Sequence, residues 1–174
     1  MDIAVCIEPT SGDSLPDVRY RWDADTDILC ATLRRRVGAP KGAPAVSERV
    51  AESVEVEGKD GSWLVLDVAS GGIEGIEVAV WPDLRRRSSL AAPAAAEEGR
   101  AVVPPQKGNR DSYEVTTALA AESDEGERTI HFTLGARRPT RAVRIARDIL
   151  LDVDGQNRLA GLWLLNVPPC PDPT

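Results

Sequence analysis

Trp63–Pro82, WLVLDVASGGIEGIEVAVWP, and Asp148–Pro168, DILLDVDGQNRLAGLWLLNVP, decide how this chain is read. Each runs Leu-Asp-Val, a short turn, Ile or Leu, any residue, Gly, Ile or Leu, then a mixed apolar stretch ending in proline. Asp67 aligns with Asp152 and Gly75 with Gly161, with one extra residue in the second turn. A second match lies upstream. DADTDILCATL (Asp23 to Leu33) and SDEGERTIHFTL (Ser123 to Leu134) are each an acidic turn followed by a strand-like run, aligning Cys30 with His131. Two matches in the same order point to an internal duplication.

The apolar period is mostly two, the mark of half-buried strands. Val18, Tyr20 and Trp22 alternate with Arg19 and Arg21; Ile130, Phe132 and Leu134 alternate with Thr129, His131 and Thr133. Val46, Val50, Val54 and Val56 share one parity. Arg141, Arg144 and Arg147 recur every three residues, as on a helical turn, but the repeat places a strand there and the strand reading is preferred. Leu162 to Leu165 is apolar on both parities, as expected of a strand covered on both faces. The expected fold is all-β. It has two pseudo-twofold-related antiparallel repeats of about four strands each, which cover each other as a sandwich or flattened barrel around one core. The repeats are set at 1–84 and 111–174, with 85–110, rich in Ala, Pro, Gly and charge, as a linker or long mobile loop. Arg34–Ala45 reads as a long hairpin loop, and the proline-rich tail after Val167 as irregular.

These residues resemble the DUF2283 family of small bacterial β domains. That family carries an aromatic-Asp start and an Asp-x-Asp-x-x-Gly-x-Ile/Val-x-Gly-Ile-Glu end. Here the first half has Trp22-Asp23, Asp27-Ile28-Leu29 and LDVASGGIEGIEV; the second has LDVDGQNRLAGLWLL. The resemblance covers Val18 to Pro82 and Tyr113 to Pro168, as a diverged tandem pair. Trp163 stands where the family has Glu and where the first half keeps Glu77, and the second half lacks the aromatic-Asp start. The resemblance implies a small antiparallel β fold and no activity.

Composition bounds the partners. A net charge of −7 disfavours nucleic acid and anionic membranes, both of which need clustered Lys and Arg. Cys6, Cys30 and Cys170 match no zinc spacing and cannot all pair, so reduced thiols in the cytoplasm are expected. The first residues lack the basic and apolar regions of a signal peptide, and no apolar run is long enough to span a membrane. No metal and no cofactor are expected. DADTDI (Asp23 to Ile28) and DVDGQN (Asp152 to Asn157) suggest calcium loops, but neither has Gly at the sixth position and Glu at the twelfth. They read as turns with aspartate caps and a positive φ at Gly155.

The candidates for chemistry are Glu77, Asp67, Asp152 and Tyr20. Asp67 and Asp152 would form a carboxylate pair if a pseudo-twofold brought them together, and otherwise cap their own turns. Glu77, between Ile76 and Val78, is expected to face a cavity or the partner sheet. His131 is placed on an outer sheet face as an ordinary surface histidine, with a Cys30–His131 nucleophile considered and disfavoured. The runs Arg34–Arg36 and Arg85–Arg87 read as a solvated rim paired with surplus acids. Trp22, Trp63, Trp81 and Trp163 are expected in the core, or as walls of a small apolar site. The function expected is a cytoplasmic β module that binds a small apolar ligand or a protein partner. The alternatives are a cofactor-free cyclase or isomerase with a β-enclosed cavity, and a homodimerisation module using exposed strand edges.

Overall fold

The computed structural model describes residues 2–10, 15–35, 52–105 and 112–172. The expected strand positions Val46 and Val50, most of the Arg34–Ala45 loop, and the end of the 85–110 connection lie outside the described residues.

The protein is all-β, with fourteen strands and no helix among the described residues. They are β1 (Cys6–Pro9), β2 (Asp17–Asp23), β3 (Ile28–Arg34), β4 (Glu52–Gly58), β5 (Trp63–Ala69), β6 (Gly72–Val80), β7 (Leu84–Arg86), β8 (Glu97–Val102), β9 (Ser112–Thr117), β10 (Leu119–Ser123), β11 (Ile130–Leu134), β12 (Thr140–Ala146), β13 (Ile149–Asp154) and β14 (Leu159–Leu164). The arginine period over 140–147 therefore belongs to a strand. Arg141 and Arg144 are its half-buried positions, flanking the buried Ala142 and Val143, and the buried Ile145 and Ala146 follow.

The hydrogen-bonded path runs β7-β10-β11-β14-β13-β12-β8-β6-β5-β4-β9, with β3 joined to β6, β2 to β3 and β1 to β8. This is one curled sheet rather than the two separate layers of a sandwich. Its narrowest joint is the single pair Gly72–Val102 between β6 and β8. The expected linker is also partly strand. β7 runs parallel to β10, and β8 runs parallel to β12 and antiparallel to β1. Composition hid β8 because its inward side chains are only Gly99 and Ala101. Gly99 is needed there, since a Cβ would lie 2.6 Å from the Glu8 carbonyl oxygen of β1. The sheet is not wholly antiparallel either, as β9 also pairs in parallel with β4.

Two stretches have the same spatial order: β2-β3-β6-β5-β4 and β10-β11-β14-β13-β12. Registers agree as well. Cys30 faces Glu77 and Thr32 faces Gly75 across β3–β6; His131 faces Trp163 and Thr133 faces Gly161 across β11–β14. Inward residues of both stretches, among them Leu29, Leu64, Leu66 and Ile76 with Phe132, Ile149, Leu151 and Leu162, form one buried core. Burying each large aliphatic side chain stabilises the fold by roughly 1.5–3 kcal/mol.

Polar contacts tie the two stretches together around that core. The Tyr20 hydroxyl donates to the Leu165 carbonyl at 2.8 Å, and the Trp22 indole to the Pro168 carbonyl at 2.8 Å. Burial first, and Asp148 second, push the Tyr20 hydroxyl well above its ordinary pKa, with the Leu165 hydrogen bond acting in the opposite direction. Tyr20 is thus a neutral tether. Tyr20→Phe is expected to cost about 1 kcal/mol in urea unfolding by leaving the Leu165 carbonyl unpaired. An unchanged midpoint would show that the tether contributes nothing.

Candidate functional site

The outer face of the second stretch carries a polar cluster. In β11 the inward turn of Ile130 and Phe132 sends His131 outward. Asp152 in β13 and Trp163 in β14 reach the same face. Gly161, directly opposite Asp152, leaves room between them. His131 Nε2 and Asp152 Oδ2 are 2.7 Å apart, and the Trp163 indole N–H donates to Asp152 Oδ1 at 3.2 Å. The imidazole stacks on the indole with ring centroids 3.9 Å apart and planes 13° apart. Only 16% of the His131 side chain and 13% of the Asp152 side chain are exposed. The carboxylate is buried at low cost because both oxygens accept hydrogen bonds. The Asp152 oxygen facing Nε2 selects the tautomer with the proton on Nε2, which leaves the Nδ1 lone pair as an acceptor.

Trp163 explains the apolar run Leu162 to Leu165, but not in the way expected. Its outer side is covered by the connection. Leu90, Ala92 and Ala95 pack with Leu165 against Ala142, Leu150 and Trp163. The two stretches therefore do not cover both faces of β14; the Ala/Pro-rich strap covers the outer one. Beside the strap a cleft of about 310 Å3 opens, with Leu90, Thr133, Ala160 and the His131–Asp152–Trp163 cluster in its wall. Glu122 and Arg137 also line it, and an adjoining cleft of about 500 Å3 shares these two residues.

Asp152 does not cap its turn. Asp154 does, accepting the Gln156 and Arg158 amides on Oδ1 and the Arg138 and Arg158 guanidinium groups on Oδ2. The positive φ falls on Asn157, not on Gly155. In the first acidic turn, Asp23 caps the amide of Asp25 as expected. Among the described residues no group of three or more His, Cys, Asp or Glu is placed to hold a metal ion.

The equivalent place in the first stretch holds Cys30, Glu77 and Asp67. The Cys30 thiol lies 3.5 Å from Glu77 Oε2. Burial and then Glu77 push the Cys30 thiol up, and the same two causes, in the same order, raise the Asp67 carboxyl. Glu77 is half-buried on this outer face; it does not face a cavity between the sheets or the partner stretch. Asp67 and Asp152 are not a pair, since Asp67 meets Glu77 and Asp152 meets His131. Cys30 and His131 are likewise engaged separately. Trp22 stacks on Trp81 at 5.7 Å and Trp81 lies 5.8 Å from Phe132, which makes both part of the packing between stretches. Trp63 is half-buried on β5 opposite Val80, and of the four tryptophans Trp163 alone lines either cleft. Of the arginine runs, Arg86 pairs with Glu127 and Arg87 with Glu122, on the solvated rim; Arg36 lies outside the described residues.

His131 is the functional candidate that the sequence reading passed over. The signal was present. Aligning Cys30 with His131 and Glu77 with Trp163 sets one cross-strand pair against another, Cys30–Glu77 in the first stretch and His131–Trp163 in the second. No family model matches the chain, and no curated protein matches it. Among the described residues no helix is long and apolar enough to cross a membrane.

Proposed function

We propose that the chain is a small-ligand-binding β module whose site is the cleft over His131 and Trp163. The observation that carries this reading is the fixed His131 ring. Asp152 occupies Nε2 and Trp163 braces one face, while Nδ1 has no hydrogen-bond partner among the described residues and the ring borders an open cleft. A histidine oriented in this way is an acceptor prepared for a ligand. The identical strand order and register of the two stretches support a further reading, that they are diverged tandem copies of a DUF2283-like unit. In this reading the first copy keeps the acidic face and the second has become the binding face.

A fragment screen followed by NMR tests the site. Ligands are expected to shift the His131 ring and Trp163 indole resonances while leaving the Trp22 and Trp81 indoles in place. Trp163→Leu is expected to weaken binding about tenfold or more, by removing the wall on which the ring is braced. Hits that shift Trp22 and Trp81 instead would move the site to the other end of the core and overturn this assignment.

A further inference from the structure

We infer that the ligand of this cleft is a small carboxylate that also carries a hydrogen-bond donor; this rests on the cleft being the binding site. The argument is a charge and hydrogen-bond account of its two ends. At the rim, Arg137 meets the carboxylate of Glu122 at 3.3 Å, and Arg87, in the wall of the adjoining cleft, meets the same carboxylate at 2.9 Å. Glu122 is 14% exposed, whereas the Arg137 side chain is 76% exposed. Two cations thus share one anion. Arg137 holds the longer contact, through one nitrogen, and so keeps N–H groups directed elsewhere. A guanidinium in that state suits a carboxylate. Arg138, its neighbour on the cleft wall, is different. Its donors are consumed by Asp154 and by the carbonyls of Leu134, Ala136 and Leu159.

At the floor the polarity is reversed. Asp152 Oδ2 lies 2.7 Å from His131 Nε2, so the neutral tautomer carries its proton there and leaves the Nδ1 lone pair as an acceptor. It accepts an O–H or N–H group. A ligand that satisfies both ends is anionic towards Arg137 and a donor towards His131 Nδ1. Leu90, Ala136 and Ala160 supply an apolar lining between the ends. At about 310 Å3 the space lies at the small end of ligand sites, which fits a single-ring or short-chain compound.

The test uses the full chain and four probes: 4-hydroxybenzoate, 4-(aminomethyl)benzoate, benzoate and phenol, titrated while the His131 and Trp163 resonances are followed. One of the first two is expected to bind at least about tenfold more tightly than benzoate and phenol, the ratio one charge-assisted hydrogen bond provides. Which of the two does so tells a hydroxyl donor from an ammonium. Arg137→Gln, on an exposed side chain, is expected to remove the advantage over phenol and leave phenol binding unchanged. If phenol or benzoate binds as well as the bifunctional probes, with Arg137→Gln silent, the cleft survives as a site but the ligand class is wrong. If none of the four shifts His131 or Trp163, while fragments bind at another place, both the class and the site fail.

Discussion

Gly161→Ala is expected to destabilise the protein by about 3 kcal/mol in denaturant unfolding, while Gly75→Ala, at the matching place, costs less than about 1 kcal/mol. The two glycines occupy the same register position, opposite Asp152 and Asp67. A Cβ on Gly161 would sit 2.5 Å from the Phe132 carbonyl oxygen, 2.7 Å from Asp152 Oδ2 and 3.2 Å from His131 Nε2. The first is backbone in the centre of a fully buried ladder and cannot yield. The other two are the hydrogen-bonded pair itself, which must separate. The three atoms nearest a Cβ on Gly75 all belong to the Asp67 side chain, Oδ2 closest at 2.7 Å, and Asp67 is exposed, so its carboxylate has room to turn aside. There the lower chain entropy of alanine in the unfolded state offsets part of the cost. Equal losses at the two positions would show that the His131–Asp152 pair does not constrain the strand spacing. The His131 ring resonance is expected to move in Gly161→Ala and not in Gly75→Ala.

Much of this was legible in the sequence, and what was not has physical causes. Period two in Val18–Trp22 and Ile130–Leu134 reports strands because one face of each is buried, and the structure keeps those parities. The matched spacing of the two stretches was legible because Gly75 in β6 and Gly161 in β14 each stand opposite an aspartate, where an added Cβ would lie 2.7 Å from its carboxylate. β7 and β8 were hidden because strand pairing is a backbone property. It needs no apolar side chain, and EEGRAV offers two small ones. The double-sided apolar run at Leu162–Leu165 correctly signalled a covered strand but could not name the cover, since Ala- and Pro-rich sequence serves equally as solvent-exposed linker or as a strap. The site was half legible. Asp152 and Trp163 were candidates separately, but their meeting with His131 depends on strand order, with β11 beside β14 and β14 beside β13. Periodicity within each strand does not contain that order.

Asp154→Ala is expected to lower the melting temperature by on the order of 10 °C, the effect of leaving buried donors without their acceptor. Asp154 is 3% exposed and gathers the turn between β13 and β14. It takes the Gln156 and Arg158 amides at 2.9 Å each and the Arg138 and Arg158 guanidinium groups at 2.8 and 2.9 Å. Arg158 reaches on to Asp2, and the turn itself receives the N-terminal segment through Val5 and Ile3. Loss of the carboxylate therefore loosens the end of the sheet as well as the turn. Burial alone would raise the Asp154 carboxyl, but the two amides and two guanidinium groups outweigh it and hold the group far below the usual carboxylate range. The sign of the pH dependence follows. A carboxyl depressed in the folded state contributes fully above its unfolded value of about 3.9, and that contribution drains away as the pH falls towards the folded value. The wild-type protein is thus expected to lose stability steadily from about pH 5 downward. Asp154→Asn can keep the amide caps but carries no charge. It should start less stable at pH 7 and fall more gently, so that the gap from wild type narrows in acid. Melting curves at pH 7, 5, 4 and 3 measure this gap; a constant difference across the series would mean that Asp154 acts through shape alone and that its charge is not what binds Arg138 and Arg158.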